Sequence, residues 1–175
     1  MRMIRLVVSY TSLLFHVSEN VGLPNHTYTN PPPPPPAKSF TYTHPPLKPL
    51  PTDLLNSPLL HAKAFHLFGP PEEILILVPE LLRLRDEAGT TERPLFVWEP
   101  LPSSCVPGNY GKVGEACKLV DVFSPNHIEL GALCGGTGGG GFDGEEIEGW
   151  MGRLVGEGVG VTGDGVVVVR AGKCC

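Results

Sequence analysis

Short apolar runs along this chain alternate with longer segments of mixed polarity. The short runs are rich in Val, Leu and Phe and predict β-strands at residues 62–69, 94–100, 120–126 and 165–172. The longer segments predict helices at residues 71–89, 108–119, 127–135 and 145–158. Strands that are apolar throughout and separated by helices are typical of a parallel sheet covered on both faces. The pattern therefore predicts the α/β class, with a mostly parallel sheet flanked by helices.

Two of the predicted helices carry further signals. The segment 71–89 begins with acidic residues and has Arg83 and Arg85 near its end, which suits the two poles of a helix dipole. Pro79, inside the same segment, predicts a kink or a break. In the segment 145–158 the helical spacing defines an apolar face, formed by Ile147, Met151, Leu154 and Val155.

The first 36 residues differ from the rest of the chain. They end in six consecutive prolines, residues 31–36, which favour an extended polyproline conformation. We therefore expect a disordered, proline-rich segment at 1–36 and a folded domain at 37–175, beginning with a short strand at 39–43. The apolar N-terminus is interrupted by polar residues, and no run reaches the length of a membrane span. A proline run can also dock on a partner's aromatic groove, so a proline-rich adaptor is one alternative function.

Composition narrows the classes of partner. The net charge is −5 with only 13 Lys and Arg, so the chain lacks the basic footprint of a nucleic-acid-binding protein. The five cysteines contain no CxxC pair, which argues against a disulfide framework and a zinc site. These features favour a cytoplasmic protein that binds neither nucleic acid nor membranes.

Several weak motifs do not have the context that their chemistry needs. Two stretches match G-x-G-x-x-G, beginning at Gly136 and Gly158, but a dinucleotide site requires a strand before the glycines and a helix after them. The first follows a predicted helix and the second precedes a predicted strand. The histidines at 61, 66 and 127 form no Cys-His or Ser-His-Asp arrangement that spacing could identify.

The stretch SPNHIEL places Asn126 after an apolar strand and Glu129 three residues later. Asparagine followed by glutamate at this spacing predicts a capping box at a helix start. The same position, at the carboxyl end of a parallel strand, is where ligands bind in open α/β sheets. A carboxylate there can also hold Mg²⁺ beside phosphate groups. The residues alone leave both interpretations open.

From about Lys38 onward the chain resembles a pfkB-type, or ribokinase-like, carbohydrate kinase, most closely a fungal branch of that family. The resemblance is carried by LFVWEPLPSSCVP, VDVFSPNHIELGAL, AKAFHLFG and the terminal VVVVRAGK. It implies a ribokinase-like fold and ATP-dependent phosphorylation of a sugar hydroxyl. In the family an N-x-x-E motif helps to place Mg²⁺ and the phosphates. The resemblance therefore implies that Asn126 and Glu129 bind the cofactor, with Glu129 on the metal.

The chain also departs from the family pattern. The first 36 residues show no early glycine pair, and no G-A-G-D segment follows the last strand. We therefore expect a domain incomplete at both ends, with no assigned catalytic residue and impaired kinase activity. An unpaired sheet edge and uncovered apolar surface would favour a protein partner. A non-catalytic, kinase-like interaction protein is accordingly the other alternative function.

Overall fold

Four short parallel strands form the centre of the fold, in the spatial order β1-β2-β3-β4. The structure is a computed structural model that describes residues 49–136 and 143–170. The strands are β1 (Ala64–Gly69), β2 (Leu95–Pro100), β3 (Val122–Phe123) and β4 (Val166–Val167). The helices are α1 (Pro71–Glu87), α2 (Tyr110–Cys117), α3 (His127–Leu133) and α4 (Gly144–Glu157). The predicted α/β class and parallel sheet are thereby confirmed.

β3 and β4 are much shorter than the apolar runs that predicted them, with two residues each. Pro125 follows β3 and has no N–H group, so it cannot donate to a continuing ladder. The two chain segments meet again in an isolated bridge between Asn126 and Arg170. The predicted strand at 39–43, the boundary at residue 36 and most of the glycine tract, 137–142, lie outside the described residues.

The helices pack on one face of the sheet. The strand register places Leu67, Trp98, Phe123 and Val167 in one row on that face, and side chains from all four helices join the same hydrophobic core. Each connection advances one strand in the same direction, and right-handed crossovers then place every helix on the same side. The sequence predicted cover on both faces, but the helices among the described residues supply it on only one.

The opposite sheet face carries exposed apolar side chains. Phe68, Leu95 and Val166 are 58%, 47% and 43% exposed, whereas the residues that follow them, Gly69, Phe96 and Val167, are buried on the other face. None of the described helices is long and apolar enough to cross a membrane. No described helix covers this face, which we call the open face.

α1 continues through Pro79 without a break, so of the predicted kink or break, the break is wrong and the kink stays a prediction. Pro79 lies on the exposed side of the helix, whereas Ile74, Val78 and Leu81 are buried on the other side. A proline inside a helix costs about 3 kcal/mol, and each fully buried aliphatic side chain stabilises by about 1.5–3 kcal/mol. Burial of the apolar face is thus sufficient to keep the helix continuous.

The glycines from 158 onward form the turn between α4 and β4. Gly158, Gly160 and Gly163 all have positive φ angles, of 94°, 81° and 80°. Residues other than glycine rarely adopt this backbone conformation. A Cβ atom at Gly160 would also lie 3.1 Å from the backbone nitrogen of Gly165. These glycines lead into a strand, as the sequence predicted, and they lack the strand-to-helix context of a dinucleotide site.

Arg85, in the last turn of α1, joins three separate segments around the helix end. It is only 2% exposed, and its guanidinium donates to the carbonyl oxygens of Leu60, Ala62 and Glu92. The same group lies 5.7 Å from the centre of the Phe65 ring, in cation–π geometry. Arg85 therefore fixes the chain before β1 and the loop before β2 against α1.

We expect Arg85→Met to destabilise the fold by about 2–4 kcal/mol, because it leaves one buried and two partly buried carbonyl groups without their charged donor. Arg83→Met is the matched control on the same helix, since Arg83 is half exposed and forms surface ion pairs with Glu80 and Glu87. Urea unfolding followed by circular dichroism measures both changes. Equal stability of the two variants would contradict this role for Arg85.

Candidate functional site at the carboxyl edge of the sheet

Asn126 and Glu129 form a complete capping box at the start of α3. The Asn126 Oδ1 atom accepts a hydrogen bond from the Glu129 backbone nitrogen at 2.8 Å, and the Glu129 Oε2 atom accepts one from the Asn126 backbone nitrogen at 2.7 Å. Glu129 is 6% exposed. The cap that the sequence predicted is therefore confirmed, and it uses only one of the two carboxylate oxygens of Glu129.

The capped helix start is anchored to the segment that follows β4. The backbone nitrogen of His127 donates to the Arg170 carbonyl at 3.2 Å, and the Arg170 nitrogen donates to the Pro125 carbonyl at 3.0 Å. These bonds extend the β3–β4 pairing beyond the two short strands. They fix Asn126 at the carboxyl edge of the sheet, which is the edge where open α/β sheets bind ligands.

The side chain of Arg170 lies between two carboxylates at this edge. Its Nη1 atom is 2.5 Å from the Oε1 atom of Glu99, and its Nη2 atom is 3.6 Å from the Oε2 atom of Glu129. The other carboxylate oxygen of Glu99 is 3.4 Å from the Nε2 atom of His66. The fold therefore brings together one side chain each from β1, β2, α3 and the segment after β4.

The sequence drew attention to His66 but did not assign it to a site, and Glu99 and Arg170 were not singled out. The signal in the sequence was a charged residue near the end of an otherwise apolar strand, in WEP and again in VVVVR. Of the other histidines, His61 bonds to Thr90 near the end of α1, and His127 begins α3. His61 therefore lies away from this edge.

The donor groups fit a magnesium ion that is shared with phosphates better than a metal held by protein alone. No group of three or more His, Cys, Asp or Glu side chains in the described residues is arranged to hold a metal ion. Mg²⁺ needs only one or two carboxylates when phosphates and water supply its other ligands. The Oε1 atom of Glu129, which takes no part in the cap, meets that requirement.

Arg170 adds hydrogen-bond donors that suit phosphate. Its Nε and Nη2 atoms are buried and have no hydrogen-bond partner among the described residues. Unpaired buried donors are rare because they cost free energy, and guanidinium groups match the geometry of phosphate oxygens. With His66 neutral, Glu99, Glu129 and Arg170 carry a combined charge of about −1. A cation beside these groups would therefore strengthen the binding of an anion here.

A buried thiol lies close enough to respond to this charge. Cys105 is 3% exposed, and burial together with the negative charge of Glu129 raises its pKa to about 11. Burial is the larger of the two causes. The Cys105 thiol is consequently neutral at physiological pH and can report a change in the charge of Glu129.

Comparison with known proteins gives one informative match. Over 91 residues, 51% of this chain, the sequence is 36% identical to an uncharacterized protein of Schizosaccharomyces pombe, and the match covers 24% of that protein. The chain thus spans about a quarter of the length of this relative. No family model matches the chain, and no solved structure matches it. The resemblance to pfkB-type kinases stays a prediction.

We expect Asn126→Ala to lower the free energy of unfolding by about 1 kcal/mol, since it removes the side-chain acceptor of the cap. Asn126→Ser retains a capping oxygen and should remain close to the wild type. Urea unfolding of the three proteins measures the difference. If alanine and serine were equally tolerated, the cap would contribute nothing to stability.

We also expect Glu129→Gln to lower the pKa of the Cys105 thiol from about 11 towards its ordinary value, because a neighbouring negative charge disfavours the thiolate. The measurement is a titration of thiolate absorbance in protein whose other cysteines are serine. Glu80→Gln, on the exposed side of α1, serves as the control carboxylate. An unchanged pKa in Glu129→Gln would show that Glu129 does not act on this thiol.

Proposed function

We propose that this chain contains the magnesium- and phosphate-binding part of a ribokinase-like, pfkB-type carbohydrate kinase, which transfers a phosphoryl group from ATP to a sugar hydroxyl. One observation carries the proposal: the N-x-x-E pair lies at the carboxyl edge of a parallel sheet, with Arg170 beside it. In this class of reaction catalysis depends mainly on positioning and charge stabilisation. The carboxyl edge offers groups suited to both.

Each residue has a definite task in this proposal. Glu129 supplies the carboxylate oxygen that would hold Mg²⁺, and the capping box fixes its side chain. Asn126 keeps that geometry through its bond to the Glu129 nitrogen. The metal, when bound, neutralises phosphate charge and orients the transferred group. We assign no catalytic base to the described residues, so ligand binding rather than turnover is the appropriate test.

The cellular setting follows from the proposed chemistry. ATP and reduced thiols are both abundant in the cytoplasm, where disulfides are rare. Cys105, Cys117 and Cys134 are free thiols in the structure. We therefore place the protein in the cytoplasm, with ATP and a sugar as its ligands.

A second candidate function is a non-catalytic, kinase-like interaction protein. The closed capping box favours it, because Asn126 and Glu129 each already have a structural task that needs no ligand. In that case the N-x-x-E pair is an inherited helix cap and the domain binds no nucleotide. The same binding measurement separates the two candidates.

We expect millimolar Mg-ATP to raise the Tm of the full chain by about 3 °C or more, because a ligand that binds only the folded state stabilises it. Glu129→Gln should abolish this shift. Glutamine is accepted at the third position of a capping box, so the variant removes the charge while it retains the cap. Differential scanning fluorimetry with and without Mg-ATP measures the shift in each protein.

Glu80→Gln is again the matched control, and its shift should equal that of the wild type. A wild-type protein that does not respond to millimolar Mg-ATP would contradict the proposed kinase function and favour the interaction protein. A shift that persists in Glu129→Gln would remove Glu129 from the proposed metal site.

A further inference from the structure

The Arg170 side chain has hydrogen-bond donors without a partner among the described residues. Its Nη1 atom pairs with Glu99, whereas Nε and Nη2 are buried without a hydrogen-bond partner among the described residues. The Glu129 Oε2 atom lies 3.6 Å from Nη2, which is beyond hydrogen-bond distance. That oxygen already accepts the bond of the cap.

Glu99 is positioned to restrain this guanidinium. It is the penultimate residue of β2, and its neighbours in the sequence, Trp98 and Pro100, face the buried side of the sheet. The alternation of a strand therefore directs Glu99 to the open face. There its carboxylate is 24% exposed, comparable with the 27% of the Arg170 side chain. The ion pair is only partly screened by solvent.

We propose that Arg170 is an anion-binding residue for phosphate groups. Glu99 is the positioning residue that pairs with its guanidinium when no phosphate is bound. A phosphate binds when the guanidinium exchanges the Glu99 carboxylate for phosphate oxygens. The inference rests on the proposed function for the identity of the ligand, a nucleotide phosphate. It goes beyond that function because it assigns roles to two residues outside the N-x-x-E pair. Arg170 binds the phosphate, and the Glu99 carboxylate competes with the phosphate for the guanidinium.

This arrangement predicts effects of opposite sign for the two partners. Removing the guanidinium removes the phosphate donor, so affinity for phosphate falls. Removing the charge of Glu99 frees the guanidinium and changes the combined charge of Glu99, Glu129 and Arg170 from about −1 to about 0, so affinity rises. A residue with a purely structural role would weaken binding in both variants.

The experiment measures binding of inorganic pyrophosphate to the full chain by isothermal titration calorimetry, without added metal. We expect Glu99→Gln to bind pyrophosphate about tenfold more tightly than the wild type, because two charges in contact at a partly buried site interact strongly. Arg170→Met should show no measurable binding. Arg170→Lys, which keeps the charge but lacks the planar fork, should bind more weakly than the wild type.

Two control variants on α1 remove one carboxylate and one guanidinium at positions away from the sheet edge. Glu80→Gln and Arg83→Met remove the members of an exposed ion pair, and both should bind pyrophosphate as the wild type does. Circular dichroism and Tm of every variant establish that the protein is folded. Because the decisive result for Glu99→Gln is a gain of affinity, loss of folding cannot imitate it.

Unchanged or weaker binding in Glu99→Gln would overturn the role of Glu99. Wild-type affinity in Arg170→Met would overturn the role of Arg170, and failure of both wild type and Glu99→Gln to bind pyrophosphate would overturn the whole inference. These outcomes are independent of the Mg-ATP test. Stabilisation by Mg-ATP without the pyrophosphate pattern would leave the kinase proposal standing, whereas the reverse would identify an anion site without kinase function.

Discussion

The contact between Trp98 and Phe123 is the packing interaction on which the rest of the structure depends. The two ring centres lie 4.8 Å apart beneath the helices, and the indole Nε1 atom donates to the Gly69 carbonyl at 2.9 Å. This contact links β1, β2 and β3 in one buried row. Because side chains alternate along a strand, burial of Trp98 forces Glu99 onto the opposite face. The hydrophobic core thereby determines where the charged edge lies.

The sequence predicts those features of the fold that depend on local pattern. β1, β2 and α1 lie within a few residues of their predicted positions, and the capping box of Asn126 and Glu129 has the predicted partners. Prediction of such features requires only the periodicity of apolar residues along the chain or a fixed spacing of three residues. The apolar face of α4 was predicted for the same reason, and Ile147 and Leu154 are indeed buried.

The features that sequence reasoning missed depend on register and topology. Glu99 and Arg170 lie far apart in the chain, and they meet only because β2, β3 and β4 are in a definite parallel register. The one-sided packing of the helices also escaped prediction, since apolar strands look the same whether one face or both are covered. Of the kink or break predicted at Pro79, the break did not occur, because burial of the apolar residues on the opposite side of α1 outweighs the local cost of the proline.

The two interpretations of the N-x-x-E pair do not exclude each other. The cap engages the Oε2 atom of Glu129, whereas a magnesium ion needs one oxygen, and Oε1 takes no part in the cap. A buried carboxylate needs polar partners, and Glu129 has the Asn126 backbone nitrogen at 2.7 Å and the Arg170 guanidinium at 3.6 Å. The structural role therefore fixes the position of the carboxylate and leaves Oε1 outside the cap. Charge balance then connects the cation to the anion. A divalent ion at Glu129 would change the combined charge of Glu99, Glu129 and Arg170 from about −1 to about +1, and a phosphate would then compete more strongly with Glu99 for Arg170.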